Sequence, residues 1–272
     1  MLKKLLKYDL RYMFKLWWIG AVTVIGLAII GGFCINNIMH PESYNTFFVV
    51  FSGIFLIPTV LGISAFSMYP LIVSFIRMYK NFFSDEGYLT FTLPVKLTTL
   101  INSKLISTVI LNISSYFVVL LSIFLMIIGA SNNFLEDIGE ISYFFKDIFE
   151  YCGIYSLFYI VEIIAILILA TVFSILFTFC CITFGCIITK KAKVIASIGI
   201  YYAVNSVVSF LSQIFITFVS PGIVACINDF PEGNTKLSVL LFGLVAITFI
   251  AIFCGLLYLL QYYMLERKLN LA

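Results

Sequence analysis

Long stretches without a charged residue are the strongest constraint on how this chain can fold. Five of them each exceed the roughly 20 apolar residues that cross the hydrocarbon of a bilayer, and a sixth contains only Glu162. Unpaired backbone groups are costly in lipid, and the stretches lack the short alternating pattern of barrel strands, so they are predicted to be helices. The stretches cover residues 16–39, 43–76, 105–130, 151–188, 194–228 and 237–265.

Composition agrees with a membrane protein. Of the 272 residues, 62% are hydrophobic and 11% are charged, whereas a soluble domain carries roughly 25% charged residues. A soluble chain of this length would need a far more polar surface. The predicted fold class is therefore an all-α integral membrane protein with six transmembrane helices.

The basic residues predict which side of the membrane each loop occupies. Fourteen of the sixteen lysines and arginines fall in four places. Positively charged loops stay on the cytoplasmic side, so both termini are predicted to be cytoplasmic and the acidic loops to face outward. The four basic places are residues 3–15, 77–104, 190–193 and 267–268.

Residues 1–16 have apolar residues at helical spacing, with Lys3, Lys7, Arg11 and Lys15 on a line of every fourth residue. They are predicted to form an amphipathic interfacial helix on the inner leaflet, before the chain turns into the membrane. The predicted organisation is one transmembrane domain, residues 1–272, with a cytoplasmic coupling loop at residues 77–104. Its spans are predicted at about residues 17–39, 46–76, 105–129, 154–188, 194–220 and 237–264.

Three of the apolar stretches are longer than one crossing requires. In the second, Pro58 and Pro70 are predicted to mark kinks, because proline removes a backbone donor inside a helix. Before the last span, a short re-entrant segment around residues 221–227 is an open alternative to a simple loop.

The sequence contains no motif for catalysis. His40 is the single histidine, and neither a nucleophile elbow nor the phosphate-binding loop GxxxxGK[ST] occurs. The chain is therefore predicted to be neither an enzyme nor a metal protein, and no cofactor is expected in it. If ATP drives its activity, another chain must hydrolyse the ATP.

Glu162 is the acidic residue within a predicted span. Ionisable groups at membrane depth are costly and often mark a pathway for ions or substrates, although such a group can also simply bond a neighbouring helix. Asn112, Asn205 and Gln213 allow the same two interpretations. These four residues are the candidates for a translocation pathway.

The largest inner loop carries the most information about function. Asp85, Glu86 and Gly87 are predicted to end one helix, and Pro94 to begin another, because proline is tolerated in a first turn. Two short cytoplasmic helices result, and their aromatic and apolar residues, Phe82 among them, are predicted to be exposed. They form either a docking surface for a cytoplasmic protein or a layer among the lipid headgroups.

In this loop the chain resembles the integral membrane subunits of ABC-2 family transporters. Those subunits show an acidic residue followed by glycine, a leucine-rich stretch, a proline and a lysine before the third span. Here the corresponding residues are Glu86 with Gly87, residues 89–93, Pro94 and Lys104. The segment SDEGYLTFTLPV is similar to the variant found in Gram-positive bacteria, except that Tyr88 replaces a small hydroxyl residue.

The resemblance implies a permease subunit in the cell membrane of a bacterium, forming a dimer with a second copy or a sister permease. Two P-loop ATPase subunits would bind ATP and magnesium, and they would contact the coupling loop through Asp85, Glu86, Gly87, Tyr88, Pro94 and Lys104. The expected substrate is amphipathic, a peptide or lipid-like, and is exported. Besides these chains, the partner is the lipid bilayer, and nucleic acid is not expected.

Two other functions remain open at this point. One is a secondary transporter that uses Glu162 as its ion site, although no inverted repeat is evident in the sequence. The other is a non-transporting immunity or scaffold protein that binds an antimicrobial peptide through its acidic outer loops.

Overall fold

The computed structural model of the protein describes most of the chain. The structure gives backbone but no side-chain description at residues 211, 215–216, 218–229, 235–236, 238 and 267. The described residues are 2–40, 46–84, 87, 92, 94–131, 139, 142–143, 146–147, 149–150, 153, 155–189, 192–229 and 235–267.

Six long helices make up nearly all of the described chain. Each is long and apolar enough to cross a membrane, which confirms the predicted all-helical, multi-pass type of protein. Within the described ranges every regular element is helical. The helices are α1 (Leu2–Met39), α2 (Thr46–Phe83), α3 (Leu97–Ala130), α4 (Tyr155–Ile188), α5 (Lys193–Asp229) and α6 (Thr235–Arg267).

Helix α1 is continuous from Leu2 to Met39 and does not separate into an interfacial helix and a span. A buried stripe runs along the helix from Asp9 to Cys34, with Asp9, Met13, Trp17 and Ala21 at intervals of four residues. From Asp9 onward the amphipathic period therefore reflects a face packed against protein, whereas the sequence pattern attributed it to a membrane surface. The five basic residues of this segment lie on its exposed side.

Helices α2 and α3 extend beyond the predicted spans towards each other. At 38 and 34 residues they measure about 57 and 51 Å, compared with roughly 30 Å of hydrocarbon. The segment predicted as a cytoplasmic loop with two short helices, residues 77–104, therefore begins and ends as continuations of α2 and α3, and residues 84–96 connect these two helices. Helix α2 continues through both Pro58 and Pro70.

The chain divides into two compact units. The first contains α1, most of α2 and most of α3, as residues 1–74 and 102–147. The second contains residues 75–101 together with α4, α5 and α6, as part of 148–272. Helix α5 is helical through residues 220–229, where a re-entrant turn was the alternative.

In the first unit, side-chain contacts define the helix directions. Trp17 Nε1 donates to Ser115 Oγ at 2.8 Å, and Gly32 lies against Gly129, so residue numbers rise together and α1 runs parallel to α3. Tyr69 donates to the Met13 carbonyl at 3.0 Å, whereas Asn37 donates to Ser52 at 3.1 Å, so α2 runs antiparallel to α1. Alternating directions are what three successive crossings require.

In the second unit, α4 and α6 run parallel along one seam. Cys254 Sγ donates to the Leu169 carbonyl at 3.7 Å, and Cys180 Sγ donates to the Leu257 carbonyl at 3.4 Å. Further along, Thr183 and Gln261 exchange hydrogen bonds of 3.1 and 2.8 Å. Helix α5 joins them through Ser197, which donates to the Ile182 carbonyl at 3.1 Å.

Close helix approach in the first unit depends on glycine. A Cβ atom at Gly32 would lie 2.8 Å from Gly129 Cα and 3.0 Å from the Met126 carbonyl oxygen. Both obstacles are backbone atoms that cannot rotate away. Small residues at such a crossing allow the extensive van der Waals contact that holds membrane helices together, because lipid supplies no hydrophobic force between them.

We predict that Gly32→Ala destabilises the protein by about 1–3 kcal/mol, because the added methyl group forces α1 away from α3. Gly26→Ala on the same helix is the matched control, since nothing lies within 4 Å of a Cβ atom there. The control should be neutral or slightly stabilising, as alanine favours helix. Thermal unfolding in detergent measures both, and equal midpoints would contradict the prediction.

Candidate functional site

A buried ion pair joins α1 to the start of α3 in the first unit. Lys104 Nζ donates to Asp9 Oδ1 at 2.5 Å, and Ser103 Oγ donates to Asp9 Oδ2 at 3.1 Å. Asp9 is 2% exposed and Lys104 is 6% exposed. Because both groups are buried away from water, either charge without its partner would destabilise the unit. The fold therefore accommodates the two charges only as a pair.

The face of α3 that receives this pair is built from small hydroxyl residues. Ser107 and Thr108 both donate to the Lys104 carbonyl, at 3.0 and 2.8 Å, and Ser115 donates to the Leu111 carbonyl at 2.9 Å. Such bonds to the preceding turn satisfy the hydroxyl donors within α3 itself, and Ser115 Oγ in addition accepts the hydrogen bond from Trp17. They leave a narrow polar face that α1 can approach closely.

Asp9 was missed by the sequence reasoning, which treated residues 3–15 only as a basic segment. A signal was present, since Asp9 is the one acidic residue among five basic ones. It also precedes Met13 and Trp17 by four and eight residues, which places it on their face of the helix. An acid on the apolar face of a basic helix indicates a buried partner.

In the connection between α2 and α3, Gly87 fits a turn that excludes a side chain. Its backbone N–H donates to the Ser84 carbonyl at 2.7 Å. A Cβ atom at this position would lie 2.8 Å from the Phe82 carbonyl oxygen. The glycine after the acidic pair is therefore explained by local geometry.

The other coupling-loop candidates differ in how exposed their side chains are. Pro94 is exposed, whereas Lys104 is buried in the ion pair described above. Asp85, Glu86 and Tyr88 lie outside the described residues. The expectation that Phe82 is exposed is wrong: it is fully buried, because α2 continues to Phe83 and places Phe82 one turn after buried Met78.

Glu162 lies in the second unit, on the face of α4 that meets α6. Only 9% of it is exposed, and its Oε1 atom is buried without a hydrogen-bond partner in the described structure. The carboxylate occupies the space where the Cβ atom of any residue other than glycine would stand at position 243. Gly243 therefore makes room for the acidic group between the two helices.

Within the described structure, the remaining pathway candidates make no hydrogen bond to Glu162 Oε1. Asn205 and Gln213 are exposed on α5, and neither donates to the buried Glu162 Oε1. In the first unit, the Asn112 amide donates to the Thr108 carbonyl of its own helix at 3.0 Å. Among the four candidates, Glu162 alone is both ionisable and buried.

The first unit also carries an apolar groove of about 720 Å³. The hydroxyl groups in its wall, Ser64, Ser67 and Ser131, each donate to a carbonyl three residues earlier on the same helix. They offer little to a polar ligand, so the chemistry of the groove suits a hydrocarbon chain. The other lining residues are Ile35, Met39, Val60, Ile63, Val119, Ile123, Met126, Ile127 and Ala130.

Within the described part of the chain, no group of three or more histidine, cysteine, aspartate or glutamate side chains could hold a metal ion. No family model, curated protein or solved structure matches the chain. The fold and sites define a class only: in the part of the chain that the structure describes, this is a helical protein with six helices able to cross a membrane, a buried ion pair and a buried acid whose Oε1 is unpartnered.

We predict that Asp9→Asn or Lys104→Met alone destabilises the protein by about 3–5 kcal/mol, because each leaves a buried charge without its partner. The double variant Asp9→Leu with Lys104→Met removes both charges and should recover most of the loss. Chemical unfolding in mixed micelles measures these free energies.

Lys7→Met serves as the control for the ion-pair variants, since Lys7 is exposed on the same turn of α1. Its effect should stay within about 0.5 kcal/mol. Strictly additive losses in the double variant would show that the two charges do not depend on each other, and would contradict the interpretation.

Proposed function

We propose that this chain is the membrane-spanning permease subunit of an ATP-driven transporter. In this proposal it pairs with a second copy or a sister permease, exports an amphipathic, peptide or lipid-like substrate, and is driven by a separate ATPase subunit. ATP binding would switch the pathway between inward and outward access, a two-state change biased by a ligand. The resemblance of the segment SDEGYLTFTLPV to ABC-2 permeases carries the proposal.

Helix length supports this role for the connecting segment. Helices α2 and α3 exceed the hydrocarbon thickness by about 27 and 21 Å, and the connecting segment lies where they end. In this proposal the excess helix length lies on the cytoplasmic side, which carries the connecting segment out of the hydrocarbon to where a soluble partner can reach it. Displacing it would move both helices, since an intact helix transmits force along its axis.

We predict that Glu86→Lys and Tyr88→Ala reduce transport-coupled ATPase activity while membrane insertion is unchanged, because both residues lie in the predicted docking segment. Asp147→Lys is the control, an exposed acidic residue in a loop predicted to lie on the opposite side of the membrane. The measurement is ATP hydrolysis by the purified complex with and without the permease variants. If both loop variants kept the transport-coupled ATPase activity of wild type, the proposal that this segment docks the ATPase would be wrong.

A second candidate function has support from one observation, the buried and unpartnered Glu162. Intramembrane carboxylates serve as ion sites in secondary transporters, which work without ATP. In that case, proteoliposomes containing this chain alone would take up or release substrate when an ion gradient is applied, and Glu162→Gln would abolish the flux. Flux only in the presence of an ATPase subunit and ATP would exclude this function.

A further inference from the structure

Two carboxylates are buried among the described helices, and they differ in what surrounds them. Asp9 receives a hydrogen bond from an ammonium group and another from a hydroxyl group. Glu162 Oε1 has neither. In the described structure, Asp9 is thus paired with the cation of Lys104, whereas no cation of the protein lies against Glu162 Oε1.

From this contrast we propose that Glu162 binds a positively charged nitrogen carried by the transported molecule. The inference rests on the proposed function, because it assigns to that transporter a cargo class, cationic amphipathic molecules. An ionised carboxylate away from water is stable only when a cation or several hydrogen bonds compensate its charge. Since the described residues of the second unit place no such group at Oε1, the compensating group comes from the ligand.

The surroundings of Glu162 suit an amphipathic ligand. Residues next to it on α4, such as Val161 and Ile163, are exposed and apolar, so apolar surface flanks the acid on its own helix. An alkyl chain can therefore remain in an apolar environment while its ammonium group reaches the carboxylate. The ion pair formed there is stronger than in water because few water molecules screen it.

The packing of α4 against α6 allows a ligand to reach the Glu162 carboxylate. The interhelical hydrogen bonds described above lie further along the helices, from the Leu169–Cys254 contact to the Thr183–Gln261 pair. At the level of Glu162, the facing residue is Gly243, which has no side chain that must be displaced. A small separation of the helices at this level exposes the carboxylate, while the polar contacts further along hold the two helices together.

The test uses the full-length protein in nanodiscs of neutral lipid, with fluorescent dodecylammonium as the probe and dodecanol carrying the same fluorophore as its uncharged counterpart. Wild type should bind the ammonium probe about tenfold more tightly than Glu162→Gln, because a single charge-assisted contact is lost. Glu162→Asp keeps the charge and should retain a preference for the ammonium probe. Binding of dodecanol should be equal in all variants.

The matched control is Glu266→Gln, an exposed acid on α6 that accepts a hydrogen bond from the Tyr262 hydroxyl group at 3.2 Å. It should bind both probes like wild type. Every variant should unfold at or above the wild-type midpoint, because Glu162→Gln removes a buried charge that has no partner, so weaker binding would not reflect misfolding. Equal affinity of wild type and Glu162→Gln for the ammonium probe would overturn the proposal.

The two proposals fail in different ways. Glu162-dependent binding without any ATP-driven transport would overturn the permease function and leave this site in place. ATP-driven transport of cationic cargo that Glu162→Gln leaves unchanged would overturn the site and leave the permease function in place.

Discussion

The absence of water from the bilayer core is the constraint on which the rest of this structure depends. It forces every backbone amide into a helix, and it also removes the hydrophobic force that would press one helix against another. Association must come from close contact and from polar pairs. The protein supplies both, with Gly32 against Gly129 and Trp17 bonded to Ser115 in one unit, and with Thr183 bonded to Gln261 in the other.

The same absence of water determines how the buried charges affect the stability of the fold. In water an exposed ion pair contributes little, but a charge in the interior must be compensated or it destabilises the fold by several kcal/mol. Asp9 and Lys104 meet this requirement with each other, and they fix α1 against the first turns of α3. Glu162 Oε1 has no such partner within the described structure, which distinguishes this acid from Asp9.

The sequence was sufficient to predict the helices and their number, because a charge-free run longer than a bilayer has few other structures available. It was not sufficient to predict which faces are buried. The period of α1 is the same whether Met13 and Trp17 face lipid or α3, and only the partner helix distinguishes the two. The same limit explains why Phe82 was expected at the surface. Asp9 was overlooked for a different reason, because its position on the face of Met13 and Trp17 was a signal that the sequence did contain.

The position of the ion pair also gives the proposed coupling segment a mechanical connection to the spans. Lys104 lies two turns after the start of α3, which begins directly after the connecting residues 84–96. If a cytoplasmic partner displaces that connection, α3 moves, and the pair with Asp9 makes the first turns of α1 move with it. Lys104 would then contribute to coupling from the interior, by joining two helices, while residues such as Pro94 remain available for contact at the surface.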